Sequence, residues 1–170
     1  MPEGISLELL VAIGGIGALF VAHWIDRVIE SRRKKRNACE ALMRELKDTN
    51  EALNTDKHPM VIREPDIHYR SAFLNEDVYL GILHSEVFTE FESSTQNSLS
   101  NFYIKIRLRN KELAYLSDHR DQFFLDDTQK RTFADWTTKI RQREYNITMR
   151  DEELRNSLEL IKSMLQEEIP

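Results

Sequence analysis

FADWTTKIRQREYNITMRDEELRNSLELIKSML, residues 133–165, is the stretch that decides the fold. Phe133, Ile140, Ile147, Leu154 and Ile161 recur at intervals of seven, joined by Trp136, Leu158 and Leu165. Such spacing is helical and gathers the apolar side chains into one seam, here sustained over about five heptads. Glu144 and Asp151 occupy alternate seam positions, so looser packing is expected in the middle. Asp126 with Gln129 has the spacing of a cap at its start. A seam of this length suits a partner helix, which makes Ile147, Leu154, Leu158, Ile161 and Leu165 the candidate interaction residues.

Helix extends upstream from there. Between residues 66 and 169 there is no proline, and Gly81 is the lone glycine. A β-rich domain would need more turn residues. Ser93 with Gln96 three positions on has the form of a capping box. Leu99, Phe102, Tyr103, Ile106, Leu113 and Leu116 then mark one helical face through about Arg120. Asn110 lies on that face and is placed either to set register or to bond a neighbour. Between Phe73 and Phe91 the pattern predicts three short helical pieces. Phe73 and Leu74 mark the first, Val78, Tyr79, Ile82 and Leu83 the second, and Val87, Phe88 and Phe91 the third. Their aromatic content suits a cap tucked against longer helices.

The other end of the chain reads differently. Residues 5–25 are almost continuously apolar, and Arg32, Arg33, Lys34, Lys35 and Arg36 follow. A bilayer's hydrocarbon core takes roughly 20 apolar residues of helix. No residue between 9 and 22 is charged, and no polar face appears there, unlike the core helix of a soluble domain. A signal peptide would place basic residues ahead of the apolar run, where only Glu3 and Glu8 are charged. The expectation is a single uncleaved membrane helix. The basic residues, all at or after Arg27, put the N-terminus outside and the remainder on the cytoplasmic side of the cell membrane. Trp24 falls at the headgroup level. Trp24, Arg27, Arg32, Arg33, Lys34, Lys35 and Arg36 are candidate membrane-surface or lipid residues. Gly14, Ala18 and Ala22 recur at intervals of four and form a candidate dimer face within the anchor. Beyond the collar, Cys39, Leu46 and Leu53 with Leu42 make a short seam. The organisation expected is an anchor (1–26), a basic juxtamembrane helix (27–54), a linker holding Pro59 and Pro65 (55–65) and a helical domain (66–170).

Composition bounds the chemistry. The inside portion carries all 24 basic residues and 27 of the 29 acidic ones, a net of about −3, so bulk attraction to nucleic acid is not indicated. Lys105, Arg107, Arg109 and Lys111 spread over more than one helical face and read as solvated. Cys39 is the single cysteine and forms no internal disulfide. None of the five histidines stands in a metal-binding helical pair, and Asp66 with His58 and His68 reads as a loop rather than a metal site. No glycine-rich phosphate loop or nucleophile elbow is present. No catalytic, cofactor or metal residue is therefore assigned.

The pattern Leu83-x-Ser85-x-x-Phe88, then Gln96-x-x-Leu99-x-x-x-Tyr103-x-x-Ile106-x-x-x-Asn110, resembles one in functionally uncharacterised small single-pass membrane proteins of archaea and bacteria. The resemblance covers about residues 69–113 and the position of the anchor. It implies an N-terminal anchor and a helical cytosolic domain, and carries no catalytic residue. Glu86 and Glu92 stand where that pattern favours Gly and Pro. The whole reading is all-α: a transmembrane helix followed by a cytosolic helical bundle ending in a long heptad helix. The function expected is a non-enzymatic, membrane-tethered interaction or scaffolding protein. Its partners would be the lipid bilayer, a second copy of itself and an unidentified protein. The alternative is nucleic-acid or anionic-lipid binding by the basic collar.

Overall fold

The computed structural model describes the backbone of residues 7–55, 73–123 and 130–169, and side chains at 15, 17–54, 73–118 and 138–169. Among these residues the chain is all-helical: α1 (Leu7–Thr55), α2 (Asp77–Leu83), a 3-10 turn (Glu86–Glu90), α3 (Ser93–Phe123) and α4 (Lys130–Glu167). The last half of α1, with α3 and α4, forms a three-helix bundle. Lys35 meets Glu168 while Leu53 meets Arg155, so α1 and α4 run antiparallel. Arg109 meets Asp151 and Lys105 meets Glu153, so α3 is antiparallel to α4 as well. The 3-10 turn meets α1 at the collar, where Ser31 bonds Glu90, and α2 meets it further along, at Glu45.

The heptad residues fill this bundle. Leu154, Leu158, Ile161 and Leu165 pack with Cys39, Leu42, Leu46 and Leu53 of α1 and Leu99, Phe102, Tyr103 and Ile106 of α3. Further along, Leu113 and Leu116 of α3 form a smaller core with Ile140 and Ile147 of α4. This corrects the expectation of a seam open to a partner. Ile147, Leu154, Leu158, Ile161 and Leu165 are at most 2% exposed because the chain's own helices cover them. Burying a Leu or Ile side chain contributes about 1.5–3 kcal/mol, so the seam stabilises the chain's own fold. Phe133 and Trp136, the proposed cap at Asp126 and Gln129, and the linker with Pro59, Pro65, His58, Asp66 and His68 have side chains outside the described residues.

Three further expectations change. Phe73 and Leu74 are not helical; the Asn110 side chain pins that segment by accepting from Leu74 N–H (3.0 Å) and donating to its carbonyl (2.8 Å). Arg109 is not solvated. It is 0% exposed and paired with Asp151, so the two charged intrusions into the α3 and α4 seams satisfy each other. The expected Ser93–Gln96 box does not form: Glu92 takes the cap position, its carbonyl accepting from Gln96 N–H at 2.9 Å, and the Gln96 side chain donates to Phe91 O.

Helix ends carry unpaired main-chain groups that something must satisfy. Here side chains distant in sequence do so. The Glu45 carboxylate accepts from Val78 N–H (2.8 Å) and Tyr79 N–H (3.3 Å) in the first turn of α2, where Glu76 provides no side-chain cap. The Glu168 carboxylate accepts from Glu92 N–H (2.6 Å) at the start of α3. The Arg155 guanidinium donates to Leu53 O (2.6 Å) near the end of α1. Acids sit at N-termini and a base at a C-terminus, the arrangement the helix dipole favours.

Candidate functional site: the projecting helix and its basic collar

α1 runs without a break from the apolar segment into the bundle. At 1.5 Å per residue its 49 residues measure about 74 Å. Among the described residues, the first buried side chain of α1 is Ala38. Every described side chain up to Arg27 is exposed, with Leu19 73%, Phe20 71% and Trp24 66% exposed. Val21, Ile25 and Ile29 are exposed too, and nothing lies within 4 Å of a Cβ built on Gly15 or Gly17. Apolar residues on every side of a projecting helix require a covering, and the described residues supply none. Ala18 and Ala22 of the expected dimer face are exposed; the exposure of Gly14 is not among the described features. Among the described residues, no helix is long and apolar enough to cross a membrane. The expected anchor at 5–25 falls in large part outside that set, since side chains are not described for residues 5–14 and 16.

The collar divides into two sides. Lys35 turns inward, a correction to its expected place on the membrane surface. Its ammonium lies 2.5 Å from Glu168 and 5.8 Å from the centre of the Phe91 ring. The same Glu168 carboxylate holds Glu92 N–H and the Thr95 side chain, so one acid ties α1, α3 and α4 together. Burial acts to raise the Glu168 pKa, but the bonds from Lys35, Glu92 and Thr95 outweigh it and hold the carboxyl below its ordinary range. Nearby, Ser31 donates to Glu90 at 2.8 Å, fastening the 3-10 turn to α1. Lys34 pairs with Glu30 at 2.7 Å, which lowers the Glu30 pKa and raises that of Lys34, with Glu86 and Glu90 adding to the latter. Arg36 pairs with Glu40 at 3.0 Å. Arg27, Arg32 and Arg33 are exposed and make no ion pair among the described residues.

Below the collar lies a buried polar and aromatic cluster. Glu45, 3% exposed, also accepts from the Tyr103 hydroxyl at 2.7 Å. Burial, then that bond, push the Tyr103 pKa well up, so the phenol stays a donor. Tyr103 stacks on Tyr79 at 4.0 Å, and Tyr79 meets Phe88 edge-on. Cys39 is fully buried, and burial, with Glu168 adding to it, raises its thiol to about 11, the opposite of a reactive cysteine. No group of three or more His, Cys, Asp or Glu able to hold a metal occurs among the described residues. Glu45, Glu168 and Arg155 were not singled out in the sequence because their partners are tens of positions away.

No family model matches the chain, and no curated protein or solved structure matches it.

Proposed function

We propose that this chain is a membrane-tethered helical interaction protein, non-enzymatic, with its bundle held just inside the cell membrane. The observation that supports this most is the unbroken α1, whose described apolar residues from Ala18 to Ile25 stand exposed ahead of a basic collar. Residues 5–25 supply the span, and the N-terminus lies outside while the bundle lies in the cytoplasm, in keeping with the basic residues. The bilayer is the first partner. A second copy would meet this one through Gly14, Ala18 and Ala22 of the anchor, because the heptad seam is already filled. The exposed faces of α3 and α4 are left to an unidentified protein.

The test is fractionation of the full chain from its native membranes. Retention in the pellet after alkaline carbonate, with the bundle digested only when protease reaches the cytoplasmic side, is the expected result. Release by carbonate would refute the tether. A mild-detergent pull-down, with nuclease and high salt as controls, then reads out the protein partner. The second reading is a collar that binds anionic lipid or nucleic acid; Arg32 and Arg33, exposed and without an ion pair among the described residues, favour the lipid.

A further inference from the structure

We infer that one side of α1, the stripe Ile25, Ile29, Arg32, Arg33 and Arg36, is a docking surface for anionic phospholipid headgroups. The inference rests on the membrane reading above and adds to it which face of the collar binds, and what.

Positions 25, 29, 32, 33 and 36 stand at offsets of four, seven, eight and eleven, so they share one face of the helix. Positions 31, 35, 38 and 42 share the other, where Ser31 bonds Glu90, Lys35 bonds Glu168, and Ala38 and Leu42 are buried. Among the described residues the outer stripe is unpartnered: Ile29 is 58% exposed, and Arg32 and Arg33 make no ion pair. Arg36 is bound only to Glu40 in an exposed pair of small worth.

The two sides differ in charge as well as in cover. Lys34 and Lys35 are compensated, Lys34 by its neighbour Glu30 with Glu86 and Glu90 of the 3-10 turn, and Lys35 by Glu168. A negatively charged surface meets repulsion from these acids and attraction on the outer side. Arginine is also the side chain that best grips a phosphate, through two parallel N–H bonds. Ile25 and Ile29 continue the apolar segment into the stripe, which sets the guanidinium groups at headgroup depth and not out in the cytosol. A membrane surface bound along the stripe would lean the bundle so that α1's outer face meets the leaflet. The acidic 3-10 turn would be carried away from it.

Trp24 makes this measurable in the whole protein. In a Trp136→Phe background it is the lone tryptophan. The full chain is reconstituted into phosphatidylcholine bilayers containing phosphatidylglycerol, with one lipid or the other brominated, and quenching of Trp24 gives the relative association of each. The expected result is a preference for phosphatidylglycerol that falls about fivefold for each arginine removed in Arg32→Gln and Arg33→Gln. It should also fade as salt shortens the screening length. Lys34→Gln removes the same formal charge from a compensated residue and should change the preference by less than about twofold. An equal loss in Lys34→Gln and Arg33→Gln would overturn the one-sided surface. Equal quenching by both lipids would overturn lipid selectivity while leaving the tether intact, and no quenching by either would overturn both. Salt-sensitive binding of a DNA duplex by the reconstituted chain, without lipid preference, would overturn the proposal in favour of nucleic acid.

Discussion

Replacing Glu45 with Ala should be among the most destabilising single changes in the bundle. The carboxylate makes three hydrogen bonds, to Val78 N–H, Tyr79 N–H and the Tyr103 hydroxyl, in a site 3% exposed. Truncation strands the buried Tyr103 hydroxyl, at about 1–3 kcal/mol. It also uncaps α2, at about 1 kcal/mol, and leaves a small void worth about another 1 kcal/mol. The total is about 3–5 kcal/mol, a large part of the 5–15 kcal/mol typical of a whole domain. Glu45→Gln keeps an acceptor and loses the charge, and should cost about 1–2 kcal/mol. Tyr103→Phe removes the donor alone and should cost about 1.5–3 kcal/mol, as bonds to charged groups do. Because the two residues share a bond, Glu45→Ala with Tyr103→Phe should cost at least about 1 kcal/mol less than the two singles added. The assay is equilibrium urea unfolding of the full chain in mild detergent, followed by near-ultraviolet circular dichroism. Additivity of the double variant within about 0.5 kcal/mol would refute the shared-bond account.

Other outcomes follow from the same geometry. The Glu168 carboxyl has a folded pKa below its ordinary 4.5, so its stabilising contribution is complete above that value and is lost as pH falls through the folded value. Thermal unfolding from pH 6 to pH 3 should show this slope, and Glu168→Gln should flatten it. Cys39 should resist maleimide in the folded protein at pH 8 and react on denaturation, since the thiol is buried with its pKa at about 11; fast native labelling would contradict its burial. Leu154→Asp should abolish cooperative unfolding, with a loss above about 4 kcal/mol. A folded Leu154→Asp protein that had merely changed oligomeric size would restore the seam as an interface.

Much of the fold is legible because it is periodic. Leu99, Phe102, Tyr103 and Ile106 on α3, and Ile147 through Leu165 on α4, announce buried faces by spacing alone, and all are buried. What spacing does not reveal is whose helix fills the seam. A heptad run is equally compatible with a second chain and with two helices of its own, and here α1 and α3 occupy it. Arg109 misled for a related reason: a cation on a helix face reads as solvated until Asp151, 42 positions away, is seen to oppose it. Local capping rules fail at α3 because Glu168 reaches Glu92 from 76 positions off. In the collar, sequence shows six basic residues as equals; the fold distinguishes Lys35, turned to Glu168, from Arg32 and Arg33, turned away.

The absence of any break in α1 has a mechanical consequence. A continuous helix between Leu7 and Thr55 is a shaft, and what turns one end turns the other. One residue inserted between Trp24 and Ile29 would swing everything downstream by about 100° and advance it by about 1.5 Å. One helical repeat, close to seven residues for two turns, would restore the heading and alter only the standoff. The count of residues between the apolar segment and Ala38 thus sets the compass bearing of the bundle as well as its height. A glycine pair placed there would uncouple the two.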